Sequence, residues 1–326
     1  MSNRRPVPGA WALAALGVAL AAAIAVRFGT ASGGVAWPDS WVVAELRGAR
    51  IVSAVIVGAA LAVAGALLQG VLRNPLASPF LLGITSGAGL GIVVATWAAY
   101  VATGQIVRYR APVVPAMVGA GVALAIVYWL GHRKGSLEPT RVVLMGLIVS
   151  LVCGALASVV QHLLPDQGLA MYTRWGMGSI SEETSWATLG VVGAIAGVGV
   201  AWACVLGRPL DAASLGDDEA ASVGVRLQWL RAQALVLSGV LTGVTVVVAG
   251  PIGFVGLVCP HMVRLFAGHR HGVVIAGSAL AGAALVVGAD AAVSALVLPS
   301  GRLPVGVVTT LVGAPVFLVL VWRARV

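Results

Sequence analysis

The chain has 326 residues, of which 60% are hydrophobic and only 10% are charged, and its formal net charge is +9. A soluble domain carries about 25% charged residues, so this composition excludes an ordinary water-soluble protein. Lys134 is the single lysine of the sequence and precedes Gly135, which excludes the GxxxxGK[ST] loop that binds nucleotide phosphates. Any ATP hydrolysis is therefore expected to come from another chain.

Apolar runs of about 20 residues recur from end to end, and each is long enough to cross a hydrocarbon core about 30 Å thick. Lipid-facing backbone must be hydrogen-bonded within its own segment, and the sequence shows no alternating strands, so the runs are predicted to be helices. About ten spans are predicted, at residues 10–28, 49–70, 82–103, 111–131, 141–163, 187–206, 229–249, 252–267, 273–294 and 304–322. The predicted fold class is therefore all-α, a polytopic membrane protein with residues 1–326 in a single transmembrane domain.

The basic residues predict how the chain is oriented in the membrane. If the N-terminus lies in the cytoplasm, the inner side carries 13 lysine and arginine residues and the outer side carries seven. This excess follows the positive-inside rule and predicts that both termini are cytoplasmic. The positive net charge is then a consequence of topology, and the sequence has no soluble basic domain that would bind nucleic acid.

A short polar turn, Arg73-Asn74-Pro75-Leu76, joins the second and third predicted spans within the stretch VGAALAVAGALLQGVLRNPLASPFLLGITSGAG at residues 57–89. Glycine permits close approach of helices, and proline ends a helix without needing a backbone donor. A turn of this kind at the mouth of a helix bundle is predicted to be a moving part. Glycines with the four-residue spacing of close helix contact are found at Gly83/Gly87, Gly193/Gly197 and Gly239/Gly243.

The longest polar stretch predicted on the inner side lies between the sixth and seventh spans, RPLDAASLGDDEAASVGVRLQWLR at residues 208–231. Its acidic cluster, Asp217, Asp218 and Glu219, runs against the positive-inside trend. Ser214 is predicted to cap a short helix, with Asp217 three residues on as in a capping box. Composition alone leaves two interpretations open: a solvated loop, or two short helices presented to a soluble partner.

Intramembrane charge, the usual sign of ion coupling, is sparse in the predicted spans. Asp290 lies near the end of the ninth span and Arg264 near the inner end of the eighth. A charge at mid-bilayer costs about 2.5–3.5 kcal/mol on insertion scales, so an intramembrane charge usually marks a functional site. An ion-driven transporter is expected to bury several partnered carboxylates, and the predicted spans do not contain them. His269 and His271 lie in a turn that is predicted to be solvated. The histidines and cysteines show no metal-ligand spacing, so no metal site is predicted.

Five segments, in order along the chain, carry a resemblance to a known family: LRGARIVSAVIVGAALAVAGALLQGVLRNPLASPFLLGITSGAG, MYTRWGMGSI, LDAASLGDDEAASVGV, GPIGFVGLVCPHMVRLFAGHRH and LPVGVVTTLVGAPVFL. They span nearly the whole length and resemble the FecCD permeases, the membrane subunits of ABC importers for iron–siderophores, haem and vitamin B12. The resemblance implies the type II ABC importer permease fold. The ten-helix topology of that family agrees with the span count.

The resemblance also implies an assembly. In the family the permease is a homodimer, or pairs with a related permease, with the translocation path along the two-fold axis. Two copies of a separate ATPase bind inside and carry the ATP and Mg, and a periplasmic or lipid-anchored binding protein delivers substrate outside. The chain is thus expected to be a non-enzymatic permease of the bacterial cytoplasmic membrane without a bound cofactor. Its implied substrate is an iron chelate (siderophore or haem) or cobalamin.

Site residues follow from the same resemblance. The LDAASLGDDEAASVGV segment is similar to the family's ATPase-docking element, within a loop at about residues 208–228. Its implied contact residues are Leu215, Gly216, Asp217, Glu219, Ala220, Gly224 and Val225. The Asn74-Pro75-Leu76 turn is similar to the inner gate, where Asn74 and Leu76 from both subunits would close the path.

On the outer side, Arg47 and Arg50 lie where the family places basic residues that meet glutamates on the two lobes of the binding protein. The other interpretation of these two arginines is ordinary snorkelling at a helix end. Some relatives carry a further outer arginine shortly after the aspartate that matches Asp290, where this chain has Ser294. Arg302 is the candidate to replace it.

Two other function classes remain as alternatives. An ion-coupled secondary transporter would run without ATP and is often built from inverted repeats. The acidic inner segment favours the importer, because a secondary transporter has no need of an ATPase-docking element, and an ATPase gene beside this one would decide the question. A structural or receptor-type membrane protein has no specific feature of the sequence in its favour.

Overall fold

The computed structural model describes residues 8–31, 34–105, 113–133, 136–181, 184–296 and 301–323. Lys134 and both chain termini lie outside these described residues. The helices are α1 (Pro8–Phe28), α2 (Trp41–Val71), a 3-10 helix (Pro79–Leu82), α3 (Ile84–Thr103), α4 (Val113–Leu130), α5 (Pro139–Gln161), α6 (Asp166–Gly176), α7 (Trp186–Val205), α8 (Gly207–Leu215), α9 (Asp217–Ser222), α10 (Leu227–Ala249), α11 (Val255–Ala267), α12 (His271–Ala295) and α13 (Val305–Arg323). Two antiparallel pairs of two-residue strands complete the described structure: β1 (Thr30–Ala31) with β2 (Gly34–Val35), and β3 (His132–Arg133) with β4 (Ser136–Leu137).

The helix pattern agrees with the predicted spans. Within the described residues, eight helices are long and apolar enough to cross a membrane, and α11 and α13 are shorter apolar helices. Together these ten helices correspond in order to the predicted spans, so the all-α, polytopic fold is confirmed. The short helices α6, α8 and α9 lie between them.

The start of α2 differs from the predicted start at residue 49. The helix begins at Trp41, where Ser40 is the N-cap and its side chain accepts a hydrogen bond from the Val43 amide. The extra turns contain Glu45 and Arg47, which lowered the apolar character of this stretch in the sequence. Because a capped helix tolerates polar residues at its exposed end, the α-helix extends beyond the apolar run.

Helix α11 is a partial span. It has 13 residues, a length of about 20 Å at 1.5 Å per residue, and so it is too short to cross a hydrocarbon core alone. It starts later than the predicted residue 252, because Gly250 has a φ of 65° and Phe254 a φ of 66°. Residues 250–254 therefore form irregular backbone, and Ile252 within them is buried in the hydrophobic core.

The long helix α2 lies at the centre of the bundle and is the most buried of the eight long helices described. It packs against α12, α10, α11 and α7. Two glycines on α2 allow this: a Cβ on Gly58 would overlap the backbone of Gly282 on α12, and a Cβ on Gly65 would overlap the backbone of Gly256 on α11. The close approach of α2 to its neighbours thus requires the absence of side chains at these contacts.

The predicted glycine pairs are only partly correct. A Cβ on Gly87 would meet Gly119 and Ala123 on α4, and one on Gly239 would meet Leu124, so these two glycines do mark close helix contacts. Gly197 and Gly243 face open space, and the prediction for them is wrong. The four-residue spacing identifies one face of a helix but does not say whether another helix packs there.

Candidate functional site

Two short helices, α8 and α9, form a polar element between the long helices α7 and α10. Gly216 joins them with a φ of 156°, and three acidic residues form the first turn of α9. The segment is therefore a pair of helices rather than a loop. The predicted cap at Ser214 is wrong, because α8 continues to Leu215 and the Ser214 hydroxyl donates to the carbonyl of Asp211 at 2.6 Å.

The seven predicted ATPase-docking residues differ in exposure. The exposed ones are Leu215, Asp217, Glu219 and Gly224, the half-buried ones are Gly216 and Val225, and Ala220 is buried. Leu215 leaves 76% of its surface accessible, so an apolar side chain projects from the corner between α8 and α9. Ala220 has no accessible surface, so its side chain packs beneath α9 instead of on the outside of the element.

An exposed cluster of Arg73, Asp217 and Arg231 connects this element to the bundle. The Arg73 Nη2 atom lies 2.6 Å from Asp217 Oδ1, and Arg231 Nη2 lies 2.9 Å from Asp217 Oδ2. Burial tends to raise the pKa of Asp217, but Arg231 and Arg73 outweigh this effect and hold the pKa below its usual value. The cluster belongs to the α8–α9 face, the end of the bundle that carries α8, α9 and residues 73–76.

The predicted gate residues lie on the same face, directly after α2. The side-chain oxygen of Asn74 accepts a hydrogen bond from the Leu76 amide at 2.9 Å, and the Asn74 carbonyl accepts one from the Ala77 amide at 3.0 Å. These bonds fold residues 74–77 into a compact turn. Pro75 and Leu76 are exposed, and Leu76 leaves 48% of its surface accessible. An apolar side chain thus projects from a rigid turn at the surface of the chain.

A second connection joins α8 to the start of α12. The carboxylate oxygen Oδ1 of Asp211 lies 2.8 Å from both the backbone nitrogen and the ring Nδ1 of His271. His271 is buried, so the prediction that it lies in a solvated turn is wrong, whereas the neighbouring His269 is exposed. The buried His271 imidazole contacts Asp211, which lies 60 residues away in sequence.

A cavity of about 480 Å³ opens beside the turn. Its lining includes Arg73 and Pro75 from the turn, Ser214 from α8, and Arg264 from α11. Arg264 Nη1 donates to the side-chain oxygen of Gln69 at 2.5 Å, which anchors the arginine to α2. The cavity therefore lies between the turn, the end of α8 and α11.

A buried cluster of Arg27, Asp290 and Arg50 lies on the opposite face of the bundle. Asp290 is fully buried, and its Oδ2 atom lies 2.5 Å from Arg27 Nε, while its Oδ1 atom lies 2.7 Å from Arg50 Nη2. Both arginines are buried as well, and the three residues come from α1, α12 and α2. Intramembrane charge is therefore less sparse than the sequence suggested, although a single carboxylate is the anion of this cluster.

Arg47 lies near this cluster but has different partners. Its Nη1 atom donates to the carbonyls of Phe28 and Ala36, each at 2.7 Å, so it holds the connection between α1 and α2. Burial lowers the pKa of Arg302, and the positive charges of Arg50, Arg27 and Arg47 lower it further. Ser294, at the position of the missing arginine, is buried.

The sequence did not predict the partners of several contact residues, Arg27, Arg73, Asp211, Arg231 and His271, although it placed Arg73 in the polar turn. The topology offers one signal for the buried cluster, since Arg27, Arg50 and Asp290 all fall near span ends that meet on one side of the membrane. Opposite charges at the same depth are expected to pair, because an isolated charge in an apolar surrounding is costly. In the part of the chain that the structure describes, no group of three or more histidine, cysteine or acidic residues could hold a metal ion.

Comparison with known proteins agrees with this architecture. The profile of the FecCD transport family matches residues 12–323. The hemin transport permease HmuU of Yersinia pestis is 38% identical over 285 residues, covering 86% of this chain and 83% of the relative. The vitamin B12 permease BtuC of Escherichia coli O9:H4 (strain HS) is 35% identical over 284 residues, with the same coverage of 86% and 83%.

A solved structure described as an inward-facing conformation of a metal-chelate type ABC transporter superposes with a TM-score of 0.84. It is 28% identical in sequence, and the match covers 97% of this chain and 99% of that one. Two relatives above 30% identity, a profile match over nearly the whole length and a shared three-dimensional fold lead to one assignment. The chain belongs to the FecCD transport family and is a membrane permease subunit of an ABC importer.

Proposed function

We propose that this permease carries a metal chelate, an iron–siderophore, haem or cobalamin, across the bacterial cytoplasmic membrane. The observation that supports this substrate class is the similarity over 86% of the chain to permeases for hemin and for vitamin B12. The structural match to a metal-chelate type transporter points to the same class. An ion-coupled secondary transporter is not favoured, because these relatives belong to ABC importers.

The proposed assembly contains two permeases, either two copies of this chain or this chain and a related one, and two ATPase subunits. The ATPases bind at the α8–α9 face, which makes that face and both termini cytoplasmic. Leu215, exposed between the two short helices, supplies an apolar contact that a soluble partner would cover. ATP and Mg are bound by the ATPases, and this chain contributes no cofactor site.

The Asn74–Leu76 turn is proposed as the inner gate. Its compact hydrogen bonding lets it move as a unit, and Leu76 projects an apolar side chain that can meet its copy across the two-fold axis. Alternating access then follows from two states of the permease, one biased by ATP on the partner subunits and the other by the loaded binding protein.

Arg47 and Arg50 are proposed to guide docking of the binding protein on the opposite face, together with Arg302. Arg27, Arg47, Arg50 and Arg302 outnumber the acidic residues at this end, which are Asp39, Glu45 and Asp290, and the small excess of positive charge attracts carboxylates of a partner. Arg47 and Arg50 already have internal partners, so carboxylates of the binding protein would have to share or replace them. The expected effect of these charges is on encounter rate and register more than on affinity.

The test is reconstitution of this chain in lipid nanodiscs with the ATPase and the binding protein encoded beside it. ATPase activity is measured with the binding protein empty and loaded in turn with ferric siderophore, haem and cobalamin. Stimulation by one loaded form supports the importer and names its substrate. If no ATPase co-purifies, and a proton gradient alone drives uptake into vesicles, the proposed function is overturned.

A further inference from the structure

The residue that joins the end of α2 to the proposed gate has an unusual backbone conformation. Arg73 follows the C-cap Leu72 and precedes Asn74, and its φ is 48°. Left-handed backbone is unfavourable for residues with a Cβ, so it persists where surrounding contacts hold it. The backbone conformation of Arg73 is therefore expected to depend on the contacts of its side chain.

The Arg73 guanidinium bridges the two helices of the α8–α9 element. Its Nη2 atom donates to the carbonyl of Ala213, in the last turn of α8, and to Asp217 Oδ1, at the first residue of α9. A cation is favourable at the C-terminus of one helix, and a carboxylate at the N-terminus of the next. The Arg73 side chain thus links α8 to α9 across Gly216, and the Arg73 backbone is bonded directly to Asn74 of the proposed gate.

The other partner of Asp217 belongs to a long helix. Arg231 lies near the start of α10, and its side chain is 14% exposed, whereas the Arg73 and Asp217 side chains are 42% and 48% exposed. Asp217 is therefore held on one side by a mostly buried arginine of the bundle and on the other by an exposed arginine of the turn. Water can therefore replace the exposed Asp217–Arg73 contact more easily than the Asp217–Arg231 contact.

We infer that Arg73 is a positioning residue that transmits movement of the α8–α9 element to the gate turn through Asp217. Displacement of α9 by a bound ATPase changes the Asp217–Arg73 contact and shifts the Asn74–Leu76 turn, which is peptide-bonded to Arg73. The cavity beside Arg73 and Pro75 provides the space for that shift. The inference rests on the proposed docking and gating roles, and it gives Asp217 an internal role, because both of its oxygens are taken by arginines.

The experiment compares Arg73→Gln, Asp217→Asn and the double variant in the complete transporter, reconstituted in vesicles with its ATPase and binding protein. The measured quantity is the number of substrate molecules imported per ATP hydrolysed. Each single variant is expected to lower this ratio at least about fivefold, and the double variant no further, because either change removes the same contact. Arg73→Lys, which keeps the charge, is expected to restore part of the ratio.

Arg174→Gln is the matched control, since Arg174 is an exposed arginine of α6 outside the proposed docking and gate residues, and its ratio is expected to equal that of the wild type. A second readout uses Leu76→Cys in a background without the native cysteines. Cross-linking between the two permeases is expected to change on ATP binding, and to stop responding to ATP when Arg73→Gln is added.

Two outcomes would overturn the inference: an unchanged ratio in Arg73→Gln, or additive losses in the double variant. An unchanged ratio with equal losses of transport and hydrolysis is what a merely structural role of Arg73 would produce. Failure of the proposed function is seen separately, in the wild-type complex, as the absence of ATPase activity that responds to substrate.

Discussion

The two faces of the bundle each carry one aspartate between two arginines, but in opposite surroundings. In the buried cluster the side chains of Arg27, Asp290 and Arg50 are 3%, 0% and 7% exposed. In the exposed cluster those of Arg73, Asp217 and Arg231 are 42%, 48% and 14% exposed. The same chemistry therefore makes a fixed joint at one end of the molecule and an exchangeable contact at the other, because water and ions compete with the second and not with the first.

Helix α2 connects the two clusters. Arg50 lies on α2 and Arg73 follows its C-terminus, and the helix between residue 50 and residue 71 is about 32 Å long at 1.5 Å per residue. Most of that interval is buried against neighbouring helices, with glycine contacts to α12 and α11. Helix α2 is thus held at one end by the buried cluster and is followed at the other end by an exposed contact that water can replace.

The largest expected effect comes from removing the anion of the buried cluster. Asp290→Asn leaves Arg27 and Arg50 buried without a carboxylate, which is expected to lower the free energy of unfolding by about 3–5 kcal/mol. Thermal unfolding of the purified permease measures this loss. Arg174→Gln, at an exposed arginine of α6, serves as the control and is expected to unfold like the wild type. Equal stability of Asp290→Asn and the control would contradict the fixed joint.

The close packing of α2 gives the next largest effect. Gly58→Ala places a Cβ against the backbone of Gly282, so α2 and α12 must separate, at an expected cost of about 1–3 kcal/mol in stability. Gly243→Ala is the matched control, because Gly243 lies in α10 and faces open space. It is expected to be neutral or slightly stabilising, since alanine has the higher helix propensity. Comparable losses in both variants would show that the α2–α12 contact is not special.

These contrasts also separate what the sequence could predict from what it could not. The lengths of the apolar runs predicted the membrane helices, because the thickness of the hydrocarbon core sets the length of each span independently of the other spans. The start of α2 was missed because Glu45 and Arg47 are helical despite their polarity. The pairings within the two clusters were missed for a different reason, because the partners are distant in sequence. Arg27 and Asp290 are 263 residues apart, and Arg73 and Asp217 are 144 residues apart. Only the packing of the helices brings each pair together.

Resemblance to the family predicts which segments are functional but not which way their side chains point. Residues 208–228 contain two short helices, α8 and α9, with exposed residues. Within them Ala220 is buried and Asp217 is bonded to two arginines of its own chain. Arg50 is similarly buried against Asp290, although its position on the opposite face was expected to serve a partner. A motif conveys position along the chain, whereas the direction of a side chain depends on its tertiary neighbours.

The exposed cluster is expected to behave in the reverse way to the buried one. Asp217→Asn should lower the stability of the permease by less than about 1 kcal/mol, because exposed ion pairs contribute little. Its stability should also differ less from that of the wild type at high salt, which screens exposed pairs. Thermal unfolding at low and high salt measures both quantities. A loss as large as that of Asp290→Asn would remove the contrast between the two faces.

The smallest effect concerns pH and sharpens the description of the exposed cluster. Arg231 and Arg73 lower the pKa of Asp217 below its ordinary value of 3.8. A carboxylate with a lowered pKa contributes stability that is present above the ordinary pKa and is lost as the pH falls through the lowered one. The Asp217–Arg73 contact should therefore stay intact between about pH 6 and 8. The difference in transport ratio between wild type and Asp217→Asn is expected to be constant over that range. A difference that vanishes towards pH 6 would contradict this role of Asp217, because its carboxylate keeps its charge at that pH.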